Sequence, residues 1–195
     1  MRILTTLALS LISLSAFAGH PASDAVANLF EEAERIQNGS AASRPAKVCN
    51  LIKSSLEHRQ IAQRLLGRYA SSADKNGVND FLKNSPSIMV TKAMPQIQKL
   101  VGKSGSWQVD PQASARGNGY FAVSVRVTSE GKSYNAKALV SPNMKISDVE
   151  YWGFSGVNYA SDKLVQDIDK HRNTGAPVTA YMKELRSQKD WITCP

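Results

Sequence analysis

The stretch Phe121–Val140, FAVSVRVTSEGKSYNAKALV, decides the architecture. In its first half Phe121, Val123, Val125 and Val127 alternate with Ala122, Ser124, Arg126 and Thr128, the period of a strand with one buried face. Ser129-Glu130-Gly131-Lys132 is a turn signal. In the second half Tyr134, Ala136, Ala138 and Val140 share one face. So short a link joins two strands only as an antiparallel hairpin, because a parallel crossover needs a dozen residues or more. Upstream, Ser106 to Val109 predicts a short strand, followed by a turn at Arg116-Gly117-Asn118-Gly119. Downstream, Ser141-Pro142-Asn143 leads into a further strand from Lys145 to Trp152. There Val149 and Tyr151 are expected on the apolar side, and Asp148 and Glu150 on the solvated side.

Before and after this meander the period is helical. Val26, Leu29, Phe30, Ala33 and Ile36 follow helix spacing behind a cap at Ser23. A polar break, residues 38–45, precedes a second helix from near Val48 towards Tyr69, interrupted around Leu56 to Arg59. Ser71 or Ser72 is placed to cap a helix carrying Val78, Phe81 and Leu82. Pro86 opens another, which Pro95 is expected to kink or break, and Gly102 and Gly105 end the helical half. Beyond the strands, Ser161 is expected to cap one short helix, and Pro177 opens the last. Helices, then a meander, then helices is an α+β pattern: an antiparallel sheet covered by helices.

The chain begins as an export signal. Arg2 is a charged start, Ile3 to Phe17 is apolar or small almost throughout, and Ala16-Phe17-Ala18 is an A-x-A cleavage site. Residues 1–18 are therefore read as a signal peptide cleaved after Ala18, and residues 19–195 as a single domain. That places the mature protein outside the cytoplasm, where ATP and nicotinamide cofactors are scarce. The formal charge is +8, which favours anionic partners such as phospholipid head groups. Nucleic acid fits poorly, since the basic residues form no run and no aromatic-stacking motif accompanies them. Cys49 and Cys194 are an even pair in an oxidising compartment, which suggests one disulfide.

Signatures of chemistry are few. Gly153-Phe154-Ser155-Gly156 fails the nucleophile-elbow pattern because Val157 stands in its fifth position. There is no phosphate loop and no H-E-x-x-H, and His20, His58 and His171 have no ligand spacing. These readings point away from an enzyme, from a metal and from a cofactor. Large apolar side chains are plentiful on the elements that would face one another. Leu65, Leu66, Tyr69, Phe81, Met89, Met94 and Ile97 come from the helical half. Phe121, Val123, Val125, Val127, Val149 and Tyr151 come from the strands. Such a set makes either a closed core or the lining of an apolar pocket, and composition does not separate the two.

The order of several short motifs resembles one family. Ile61-Ala62-Gln63-Arg64-Leu65-Leu66-Gly67-Arg68-Tyr69 is similar to the I-A-x-x-x-L-G-x-Y/W helix of the MlaC family, the periplasmic auxiliary components of phospholipid (toluene-tolerance type) ABC transport systems. Val78-Asn79-Asp80-Phe81 resembles the helix that follows there, Ile146-Ser147-Asp148-Val149 its I-x-D-V strand, and Gly156-Val157-Asn158 its G-V/I-S turn. The closing segment with Gly175 and Tyr181 to Leu185 resembles its final helix pair. Asn158 departs from the usual serine, and no tryptophan precedes I-x-D-V. The resemblance implies an MlaC-like lipid-binding domain, α+β, with a deep apolar pocket between sheet and helices that takes phospholipid acyl chains. The thirteen side chains above would line it. It also implies a monomeric carrier that shuttles lipid between an outer-membrane lipoprotein complex and an inner-membrane ABC transporter, without cofactor or covalent chemistry. The alternatives left open are an exported basic adaptor with a closed core and a lipid- or cell-wall-acting hydrolase.

Overall fold

Five strands form one sheet in sequence order, each antiparallel to the next. They are β1 (Gly105–Ala115), β2 (Phe121–Ser129), β3 (Lys132–Val140), β4 (Ile146–Tyr151) and β5 (Phe154–Ser155). This computed structural model describes residues 19–100, 105–129 and 131–195, with the backbone alone at residues 93, 95–100 and 129. The export segment Met1–Ala18, Gly102 and the side chain of Ile97 lie outside the described residues. The helices are α1 (Pro21–Asn38), α2 (Arg44–Ser55), α3 (His58–Leu65), α4 (Lys75–Lys83), α5 (Ser85–Leu100), α6 (Gly156–Asp169) and α7 (Pro177–Ser187).

The expected hairpin is present, with Val127 opposite Tyr134, Val125 opposite Ala136 and Val123 opposite Ala138. The same face continues onto β4, where Ala138 meets Val149 and Ala136 meets Tyr151. The first strand is longer than its expected Ser106–Val109 span, reaching Ala115 with a register shift between Val109 and Ala113. Pro111 sits in that irregularity, and its missing N–H hides a strand whose period is broken. The strand expected to reach Trp152 ends at Tyr151, and the chain turns into β5. The α5 assignment runs from Ser85 to Leu100, so Pro95 does not break it.

Three of the expected caps are corrected. The Nδ1 atom of His20 accepts from the Ala22 N–H at 3.1 Å, so His20 caps α1 and Ser23 is buried inside it. Asp74, not Ser71 or Ser72, caps α4 by accepting from Gly77 N–H at 3.0 Å. It also accepts from the N–H and hydroxyl of Thr179 in α7, so one carboxylate serves two helix starts. Ser155 caps α6, and Ser161 instead donates to the carbonyls of Arg64 and Leu65, tying α6 to α3.

Among the described residues the interior falls into three apolar clusters. In the first, Ala22 and Val26 of α1 pack on Val123, Val125, Ala138 and Val140 of the sheet. The second lies among helices and includes Ala62, Leu66, Phe81, Ile168, Tyr181 and Met182. The third joins Ile36, Val48, Cys49, Ile52, Val90 and Met94, with Ile192 and Cys194 of the C-terminal tail against it. Cys49 and Cys194 are disulfide-bonded across 145 residues of sequence. Between α2 and α3 the chain is extended at Leu56, which bridges in parallel to Ile146 and fixes the helical layer to the β4 edge.

Candidate functional site

The site grows from the short hairpin between β4 and β5. Tyr151 pairs with Phe154 across a two-residue turn, Trp152-Gly153, in which both residues have positive φ (52° and 81°). Two left-handed residues give the twist a tight hairpin requires. Glycine meets that demand freely, whereas a tryptophan there costs about 1–2 kcal/mol. Nothing lies within 4 Å of a Cβ built on Gly153, so the turn projects into open space. Trp152 stacks on Tyr151 with ring centroids 5.0 Å apart, and Tyr151 stands 6.4 Å from Tyr134.

The base of the hairpin is held by a buried carboxylate. Asp148 is 4% exposed, which corrects its expected place on a solvated strand face. That face is covered near β4 by α3 and the start of α6 rather than by water. Asp148 accepts from Arg64 at 2.6 Å, from the Ser155 hydroxyl at 2.5 Å, and from the Val157 and Val149 N–H groups at 3.1 and 2.8 Å. Burial alone would push its carboxyl up. The bonds from Ser155, Arg64 and Val157 outweigh that and hold it below the usual carboxylate range. Arg64 also donates to Ser155 and Asn158, so α3, β4, β5 and α6 meet on one fork of charge-assisted bonds. Glu150, the other carboxylate of the strand, faces Arg116 at 3.6 Å.

Between this hairpin and the first turns of α6 is an open hollow of about 660 Å³. Tyr151, Trp152, Phe154 and Tyr159 supply its apolar walls, and Asn158 and Asp162 its polar ones. Lys163 lies over the Tyr159 ring, 4.8 Å from its centroid. Trp152, Phe154 and Tyr159 are 80%, 76% and 64% exposed. Val149, at 47%, and Tyr151 and Tyr134 are also open to solvent, a correction for a β4 apolar side expected inside. These six are the exposed large hydrophobic residues among the described ones; Tyr151, Trp152, Phe154 and Tyr159 line the hollow together, and Tyr134 stands beside Tyr151. The polar face of the sheet carries a second open groove of about 870 Å³ with Ser124, Arg126, Asn135 and Lys137, and it shares Glu150, Trp152 and Gly153 with the hollow. No group of three or more His, Cys, Asp or Glu is placed to hold a metal among the described residues.

The candidate pocket residues fall in different places. Phe121, Val123, Val125 and Val127 are together on the sheet, under or beside α1. Leu66 and Phe81 are buried in the helical cluster, with Leu65, Tyr69 and Met89 packed against it. Met94 belongs to the third cluster. Met89 packs against both the helical cluster and the third, and Leu56 against both the third and the sheet cluster, so the three clusters meet through shared side chains. Of the helices, α1 sets Ala22, Val26, Leu29 and Phe30 against the sheet residues. Val149 and Tyr151 are the candidates that reach the open patch. Trp152, Phe154 and Tyr159 were missing from the candidates. Their signal was Trp152-Gly153 between two aromatic residues, a hairpin dipeptide with one unsuitable partner.

No protein-family model matches the chain, and no curated protein does. Among solved structures, the fold is similar to that of a phospholipid-binding protein from Ralstonia solanacearum, determined in complex with a phospholipid. The match has a TM-score of 0.63 and 17% identity, and covers 84% of this chain and 95% of that one. At that identity the likeness establishes the architecture, an α+β fold with helices over an antiparallel sheet, as the MlaC-like reading expected.

Proposed function

We propose that this chain is an exported lipid carrier, which holds phospholipid acyl chains against its sheet. In this reading it shuttles lipid through the periplasm between an outer-membrane lipoprotein complex and an inner-membrane ABC transporter. The observation that carries the reading is the half-covered apolar face of the sheet. Helix α1 covers the face over β1 and β2, whereas Tyr134, Val149 and Tyr151 leave an apolar strip open beside the hollow. An acyl chain laid on that strip gains about 0.8 kcal/mol per CH₂ removed from water. The head group stays hydrated at the rim, because burying its charge would cost far more. The fold's likeness to a protein solved with phospholipid supports the same ligand class. In this reading the work of the site is binding and release, without covalent chemistry.

The test is Val149→Arg. The position is exposed, so the variant keeps its melting temperature within a degree or two, while phospholipid retained through purification falls strongly. Retention equal to wild type, or a wild type with no lipid to lose, favours the adaptor with a closed core.

A further inference from the structure

We infer that the Trp152–Phe154 hairpin is a membrane-docking tip, which inserts its rings into the surface of a bilayer carrying anionic phospholipid. The proposal rests on the lipid-carrier reading for its purpose, and its test is independent of that reading. The first support is concentration. Four of the six exposed large hydrophobic residues described line one hollow, and the three most exposed, Trp152, Phe154 and Tyr159, are all aromatic. A monomeric surface seldom leaves such a patch without a partner. The second is shape. The turn stands in open space at Gly153, and the rings of Trp152, Phe154 and Tyr159 are presented to solvent around an open hollow.

The third support is chemistry. Tryptophan and tyrosine place an apolar ring and a polar edge at the level of lipid head groups, and they gather at membrane–water interfaces. The fourth is charge. The chain carries a formal +8. Lys163 lies over the Tyr159 ring at the edge of the hollow, Glu150 is engaged by Arg116, and Asp162 is an acid in the wall of the hollow. A basic body behind an aromatic tip is drawn to anionic head groups. The last is strain. A tryptophan at φ 52° occupies a position glycine would fill more easily, and the buried Asp148–Arg64–Ser155 fork holds the hairpin from below. The strip of Val149 and Tyr151 begins where the tip ends, so a chain leaving the bilayer would stay on apolar surface throughout.

Flotation of the full chain with vesicles tests this. The vesicles are phosphatidylethanolamine with a quarter phosphatidylglycerol, and a parallel set is phosphatidylcholine alone. Wild type is expected to float with the anionic vesicles and less with the zwitterionic ones. Trp152→Gly is expected to lower the floated fraction about tenfold, the scale of losing one large buried ring. Its melting temperature should be equal or higher, since glycine relieves the positive φ. Phe154→Ser serves as the second variant, with the same loss. Wild type that stays with the soluble fraction, or a Trp152→Gly variant that floats as wild type does, overturns the proposal. Lipid found in the purified protein without flotation overturns docking and leaves the carrier reading standing. Flotation by a protein that retains no lipid supports docking and removes the carrier.

Discussion

Asp148 carries much of the argument at the scale of single residues. Sequence alternation assigns it to a wet strand face, and that reading fails because two helices lie over the strand at this point. Nothing in the local period announces them. Asp148→Asn keeps the shape and removes the charge that Arg64, Ser155 and two backbone N–H groups are aimed at. Arg64 remains 39% exposed at its side chain, so water screens part of the pair. A loss of about 1–3 kcal/mol in chemical denaturation is expected; a variant as stable as wild type would show the fork to be ornamental. The same carboxyl gives an acid limb to stability. Its folded pKa lies below the ordinary 3.8, so its contribution is present above that value and is lost as pH falls through the folded pKa. His58 adds a limb at higher pH. Burial first, then Lys145, Arg59 and Lys53, hold its pKa below 6.5, and its ring accepts or donates to Ser85 at 2.8 Å. The unfolded chain takes that proton more readily, so stability falls as pH drops below 6.5. In His58→Gln that first limb should vanish from a melting-temperature profile while the lower limb persists. A profile that is unchanged contradicts the assignment. Val125 and Val149 make a contrasting pair. Val125 is buried with α1, so Val125→Trp should destabilise by about 1–3 kcal/mol through overpacking.

Among the elements, β2 and β3 were the most legible, because a face buried by one helix layer imposes strict alternation. Helix α1 was legible as a helix, and its place on the sheet was not, since periodicity reports a buried face without saying what covers it. Strand β1 was obscured by Pro111, and β5 by having two residues. Caps were misassigned where a serine stood near a better acceptor fixed by tertiary contacts, as with Asp74. The junction of α4 and α7 makes that tertiary role measurable. A Cβ on Gly77 would stand 2.4 Å from the Thr179 nitrogen and 2.6 Å from Asp74 Oδ2. Gly77→Ala should therefore cost about 1–3 kcal/mol, against the usual helical gain of alanine over glycine. A stabilised variant, read by the denaturation midpoint, would show that the two helix starts can separate at little cost.

For the whole molecule, the even count of cysteines made the pairing of Cys49 with Cys194 legible, and the structure bonds them within one cluster. Closing so long a loop stabilises by roughly 4–5 kcal/mol in the chain-entropy model. Reduction should lower the melting temperature by about 10 °C or more, and thiols that alkylate freely in the folded, unreduced protein would refute the bridge. The candidate site was only partly legible at this scale. Large apolar residues were correctly seen as abundant, yet core and ligand surface share the same chemistry. Only the three-dimensional placement of α1 separates covered Val123 and Val125 from open Val149 and Tyr151. The central claim, that the open strip holds phospholipid, is tested most directly by mass spectrometry of an organic extract of the protein purified from its native source. The account predicts phospholipid in amounts comparable to the protein, and strongly reduced amounts from Val149→Arg handled in parallel. An extract free of lipid, or one equally rich from both proteins, would contradict it.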